Sequence, residues 1–177
     1  MATETLRPNA PGDEETIAYG SSGVGNHWQD VNEEEANDAD YLQDCSGWDR
    51  DLYNLPASTG SGTINKITLY FRVKSMSASA CVKGTIKSDS TVTETVEKDP
   101  YTDFGASTYG TYSQEWAVNP ADSQVWEWAD IDALQIGIAL EGVAGMLCSY
   151  CSQVYVEVDY TEGGGSTPAR SIHIIKR

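Results

Sequence analysis

The residues best suited to chemistry in this chain are carboxylates set beside indoles. The segment Trp126-Glu127-Trp128-Ala129-Asp130-Ile131-Asp132 gathers three acids and two aromatic rings within a short stretch. Two carboxylates are enough for a glycosidase, one as proton donor and the other as nucleophile or base. A structural reading fits the same residues better: the rings cover the end of a β-domain and the acids face water. Serine-hydrolase chemistry needs a general base, nearly always histidine. The only histidines are His27, beside the Gly-rich GSSGVG, and His173, near the C-terminal end. Neither is expected in a preorganised core, so no catalytic residue is assigned and the chain is expected to be non-enzymatic.

Metal chemistry meets similar obstacles. In the acidic run from Asp30 to Tyr41, Asp30, Asn32, Glu34 and Asp38 fall at the first, third, fifth and ninth positions of a calcium loop. Glu35 stands where such a loop needs glycine, and Tyr41 where it needs glutamate. An irregular ion site would draw on Asp30, Asp38 and Asp40; a solvated acidic loop is the simpler reading. Of four cysteines, Cys148 and Cys151 form a lone CxxC, while Cys45 and Cys81 stand apart. A zinc site shows two such pairs or a pair with spaced histidines, and a redox CxxC opens a helix, whereas this one opens a strand. Buried thiols or structural disulfides are expected, with the pairing open. No cofactor and no metal is assigned.

The elements that must position these groups are strands. Leu134, Ile136, Ile138 and Leu140 alternate with small or polar residues, as do Val154, Val156, Val158 and Tyr160, the period of a strand that buries one face. Between Ile64 and Lys74, Ile67, Leu69, Phe71 and Val73 face inward, while Thr68, Tyr70, Arg72 and Lys74 face out. Shorter strands are read at His27–Val31, Tyr41–Cys45, Trp48–Tyr53 and Tyr109–Val118, with a hairpin from Ser79–Lys87 to Ser90–Val96. The spacing of turn signals predicts about eight strands. The fold class is therefore all-β: an antiparallel β-sandwich, jelly-roll-like, spanning residues 26–160, with extended N- and C-terminal arms. Tyr70, Tyr155 and Tyr112 are expected on outward faces, where aromatics gather at interfaces and on carbohydrate platforms.

Charge bears on partners. The net charge is −16, and residues 1–60 hold thirteen acids against two arginines. Such a surface repels phosphate backbones, which excludes nucleic acid as an expected partner. No run of eighteen apolar residues exists to span a membrane as a helix, and MATETLRPNAPGDEET lacks the basic start and apolar stretch of a secretory signal. Residues 1–25 read as an extended arm, ordered by contacts with other chains. Residues 161–177 read as a Gly-rich linker and a tail strand, ARSIHIIKR. Ile172, Ile174 and Ile175 offer apolar anchors to a neighbouring copy, and Lys176 and Arg177 offer charge to an acidic surface, for which Glu33, Glu34 and Glu35 are the expected site. Folding the tail back onto its own sheet is the equal alternative.

Several motifs over residues 26–160 carry a resemblance. HWQDVNEEEANDADYL, DLYNLP, GTINKITLYFRVK, EWAVNP, VWEWADIDALQIGIAL and QVYVEVDY, in that order, resemble bacteriophage virion proteins of the tail or head-decoration kind. The motifs are structural and identify no catalytic residue. The resemblance implies a non-enzymatic β-sandwich in a virion, acting through contacts with its own copies and with other virion proteins. The alternatives are a carbohydrate-binding module for host or cell-surface glycans, using exposed Trp48 or Trp126, and a subunit of a cellular surface filament.

Overall fold

A computed structural model describes residues 1–143 and 147–163. In chain order its elements are β1 (Ala2–Leu6), β2 (Ala10–Glu15), β3 (Tyr19–Gly20), a 3-10 turn (His27–Asp30), β4 (Leu42–Asp44), β5 (Gly47–Asn54), β6 (Thr63–Ser75), β7 (Val82–Ser88) and β8 (Thr91–Glu94). The chain continues through α1 (Pro100–Phe104), β9 (Gly110–Trp116), α2 (Trp128–Ala133), β10 (Gln135–Gly142) and β11 (Ser149–Thr161). One sheet runs β3-β4-β11-β6-β9, with β1 also paired to β11; the other runs β2-β5-β10-β7-β8. Every strand pairing is antiparallel. The two sheets make the sandwich that the alternation predicts.

The core lies where the period of two places it. Ile67, Leu69, Phe71 and Val73 of β6, Ile136, Ile138 and Leu140 of β10, and Val154, Val156 and Val158 of β11 are all fully buried. Removing each such side chain from water is worth roughly 1.5–3 kcal/mol. The sheets approach closely enough that Gly84, on the inward side of β7, has no alternative: a Cβ there would lie 2.5 Å from the Phe71 ring.

Four sequence-based expectations are corrected. The first twenty-five residues are extended, but they are no free arm. β1 pairs with β11 from Ala2↔Tyr160 to Leu6↔Val156, β2 pairs with β5 and β3 with β4. Low hydrophobicity hid these strands, since only Leu6 and Ile17 of this stretch are core hydrophobics; backbone pairing and buried carboxylates hold the rest. The sandwich therefore begins at Ala2 and not at residue 26, and among the described residues it has eleven strands rather than about eight. His27–Val31 is a 3-10 turn rather than an edge strand. Asp99 and Pro100 open α1: the Asp99 carboxylate accepts from the Thr102 amide at 3.1 Å, and proline takes the first position of the helix. The tail strand lies outside the described residues.

The cysteine pairing is Cys45–Cys148. It fastens the end of β4 to the entry of β11 beside the register pair Asp44↔Ser149; Cys81 and Cys151 are free and buried. The bridge joins residues 103 apart in sequence, so it removes much loop-closure entropy from the unfolded chain. Replacing both cysteines by serine should lower the unfolding free energy by about 2–4 kcal/mol, read as a lower urea midpoint. A midpoint equal to that of the unaltered protein would show that the bridge does not constrain the unfolded state.

Candidate functional site

The outward side of the second sheet carries a cleft of about 270 Å³. Its floor is Ala139 of β10, which lies opposite Arg50 of β5 on one side and Lys83 of β7 on the other. The small methyl leaves a depression between two long cationic side chains. Glu94 at the end of β8 and Glu14 of β2 close the flanks, Thr16 lies just beyond β2, and Trp48 and Asp49 stand at the start of β5. The site thus draws on both edge strands and the middle of the sheet.

An ion network fixes these groups. The Arg50 guanidinium donates to Glu14 through Nε and Nη2, the second bond being 2.9 Å, and through Nη1 to Glu94 at 3.0 Å. Lys83 Nζ lies 3.5 Å from the other Glu94 oxygen and 4.1 Å from the centroid of the Trp48 ring. Thr16 is locked to the Arg50 backbone in both directions, its hydroxyl accepting from the Arg50 amide and donating to the Arg50 carbonyl, each at 2.9 Å. Trp48 remains 38% exposed. The bond from Arg50 holds the Glu14 carboxyl below the ordinary glutamate range, against a smaller opposing effect of burial. A glycosidase needs the reverse, a carboxyl raised so that it keeps its proton near neutrality. Glu14 is therefore a fixed anion, suited to accepting hydrogen bonds.

The carboxylates of the Trp-rich segment have structural tasks. Glu127 and Asp130 form the capping box that starts α2. Asp132 accepts from the Ser58 amide at 2.8 Å and the Ser58 hydroxyl at 2.7 Å. Trp126 is 3% exposed and donates to the Trp116 carbonyl at 3.0 Å, so it is a core residue and cannot meet a glycan. Trp128 packs edge-on against Tyr160 at 5.1 Å.

The acidic loop does not converge on an ion. Asp30 is fully buried and accepts from the Ser22 amide and hydroxyl. Asp38 takes a two-pronged bond from Arg72 at 2.9 and 2.7 Å, and Asp40 accepts from Asn37. Among the described residues, the ligand types that do cluster are Cys81, Glu97 and Glu141. Burial and those two carboxylates push the Cys81 thiol up to about 12, which keeps it protonated and a poor nucleophile.

His27 is a further correction. It is 1% exposed, and its Nδ1 lies 2.7 Å from Asp51 Oδ2. The pair looks like two-thirds of a hydrolytic triad, but among the described residues Nε2 meets no nucleophile.

The residues expected at subunit contacts divide. Ile172, Ile174, Ile175, Lys176 and Arg177 lie outside the described residues, as does His173. The backbone carbonyls of Glu33 and Glu34 accept from Arg7 and Gln153, while the side chains of Glu34 and Glu35 are exposed. Tyr70 and Tyr155 stack at 4.8 Å on the outer face of the first sheet, with Arg7 over Tyr155. Tyr112 instead leans on Phe104 and donates to Asp103.

Of the cleft, the sequence pointed only to Trp48. The outward alternation of Trp48 with Arg50 was available as a signal, but the strand pairing that brings Lys83, Glu94 and Ala139 beside them was not.

No protein-family model matches this chain, and no curated protein matches it significantly. Similar solved structures are mostly carbohydrate-binding modules. The C-terminal CBM6 of LamC from Zobellia galactanivorans is 12% identical, with 89% of this chain and 100% of that one covered, at a TM-score of 0.42. The CBM35 of Abf62 from Cellvibrio japonicus is 10% identical over 90% and 95%, at 0.44. A chain of infectious bursal disease virus is 11% identical over 93% of this chain and 33% of its own length, at 0.43. At such identities and scores the likeness says nothing about what this chain binds.

The two tryptophans separate by experiment. Trp126→Ala should destabilise the protein by about 3–5 kcal/mol, as for large core truncations. Trp48→Ala should change stability by about 1 kcal/mol or less, the scale of a surface cation–π contact. Denaturant titration of both variants checks this; equal losses would place Trp48 in the core as well.

Proposed function

We propose that the chain is a non-catalytic carbohydrate-binding module whose binding site is the Trp48–Ala139 cleft. The supporting observation is one exposed indole beside a small-residue floor ringed by fixed hydrogen-bonding groups of both signs. A sugar presents apolar C–H faces and a rim of hydroxyls. The indole offers apolar area to the first, while Arg50, Lys83, Glu14, Glu94 and Thr16 offer donors and acceptors to the second. Because the ion network already holds these side chains, little rotamer freedom remains to be lost on binding. A glycan array on the purified protein, followed by titration calorimetry with the best soluble oligosaccharide, tests this. Trp48→Ala should weaken binding by at least about tenfold, equivalent to about 1.4 kcal/mol, and Ala139→Leu should fill the floor and abolish it. Saturable binding unaffected by both substitutions would move the site elsewhere.

A second reading, a virion structural protein, is favoured by one feature: the exposed carboxylates of Glu34 and Glu35 meet no cation among the described residues. In that reading Ile172, Ile174, Ile175, Lys176 and Arg177 of one copy engage Glu33, Glu34 and Glu35 of another. Sedimentation of the protein with and without residues 163–177 separates the readings. Loss of an oligomer on truncation, with no glycan bound by either form, favours the virion; glycan binding by a monomer favours the module.

A further inference from the structure

Three N–H groups in the stretch between β2 and β4 end on two oxygens of one buried acid and its neighbour. Asp51, fully buried in β5, accepts from the Thr16 amide at 2.8 Å and the Ile17 amide at 3.0 Å through Oδ1. Asp44 accepts from the Ala18 amide at 3.3 Å. The second oxygen of Asp51 faces His27 Nδ1 at 2.7 Å and the Tyr53 hydroxyl at 3.1 Å. His27 itself sits over β3, packed so closely that a Cβ on Gly20 would lie 2.3 Å from its ring. The imidazole thus stands between the N-terminal segment and β5, and that segment supplies Glu14 and Thr16 to the cleft.

The charge around the imidazole is of one sign. Asp51 faces it from β5, Glu15 from the end of β2 and Asp30 from its own 3-10 turn; Tyr53 shares the Asp51 oxygen. His27 Nε2 and Glu15 Oε2 are both buried without a hydrogen-bond partner among the described residues. A doubly protonated ring neutralises part of this acidic enclosure. A neutral ring turns the lone pair of one nitrogen into it and leaves Asp51, Glu15 and Asp30 to repel one another.

We propose that His27 is a proton-operated latch on the cleft: protonated, it clamps the segment from Glu14 to Ser22 onto β5 and completes the site, and on losing its proton it releases that wall. The role in ligand binding rests on the glycan reading of the cleft; the latch itself does not. Burial opposes protonation, but the Asp51 bond and the carboxylates outweigh it, so the group is raised from 6.5. A raised folded-state value means that the clamp is fully present below 6.5 and is lost as pH rises through the higher, folded value. Function is therefore favoured below 6.5 and weakened as pH rises through the folded-state value.

The test is amide hydrogen exchange across about pH 6 to about pH 9, expressed as protection relative to the intrinsic rate so that base catalysis cancels. Protection at Thr16 and Ile17 should fall over that range, while Val156 and Ile138 amides stay unchanged. In His27→Gln, which keeps a neutral donor toward Asp51, protection at Thr16 and Ile17 should be independent of pH. An NMR titration of the His27 ring in the unaltered protein gives the same answer without a variant: its midpoint should exceed 6.5 and coincide with the loss of protection. Flat protection in the unaltered protein, a fall that persists in His27→Gln, or a ring that titrates below 6.5 would each overturn the latch. Calorimetry with the best oligosaccharide over the same pH range reads the coupling to the cleft. PH-dependent protection without any bound sugar sustains the latch and refutes the glycan reading; sugar binding with flat protection does the opposite.

Discussion

Three buried aspartates hold the N-terminal quarter of the chain to the rest. Asp30, Asp44 and Asp51 are each fully buried. Each accepts main-chain N–H groups from the Thr16–Ser22 stretch, Asp51 from Thr16 and Ile17, Asp44 from Ala18, and Asp30 from Ser22. Burying an unpaired carboxylate costs several kcal/mol, and charge-assisted bonds of roughly 1.5–3 kcal/mol each are what offset it. The balance is visible in Asp30 and Asp44. Burial raises both above the ordinary aspartate value, and the bonds they accept only partly reverse it. These acids therefore contribute little net stability at neutral pH. Their effect is positional: another path for residues 16–22 would strip Asp30 of its Ser22 donors and Asp51 of the Thr16 and Ile17 amides.

Much of the architecture follows from that tether. The first three strands lace the sandwich, β1 in one sheet, β2 in the other and β3 back in the first. Lacing this segment across both sheets brings Glu14 within reach of Arg50, and Arg50 in turn reaches Glu94 on the far edge strand. The cleft is consequently a product of strand pairing between distant parts of the chain. What it offers is a set of immobilised hydrogen-bonding groups and one exposed ring.

The strong strands were legible in the sequence because burial alone decides them. The apolar alternation over 67–73, 136–140 and 154–158 is regular, and Ile67, Leu69, Phe71, Val73, Ile136, Ile138, Leu140, Val154, Val156 and Val158 are all in the core. The N-terminal strands were not legible, because their stability comes from pairing and from buried acids, and Ala-Pro-Gly-Asp-Glu-Glu carries neither apolar alternation nor β-propensity. The same cause hid His27: a lone histidine beside glycines reads as solvent-facing until Asp51, twenty-four residues away, is brought against it. Trp126 and Trp48 show the limit from the other side. Both are tryptophans in acidic surroundings, yet one fills the core and the other borders the cleft, and only their tertiary contacts distinguish them. Period-two patterns assign a face; they do not say which outward residues will share a site.

The central claim is that residues 1–18 are a structural part of the sandwich and of its cleft. Equilibrium urea unfolding of a form lacking those residues tests it most directly. Loss of β1, of β2 and of the Thr16, Ile17 and Ala18 donors should leave Asp51 without main-chain donors and Asp44 with the Ser46 amide alone, at a cost of about 3–5 kcal/mol or more, and should lower the midpoint accordingly or prevent folding. A truncated protein that unfolds at the same midpoint as the full chain would contradict the account.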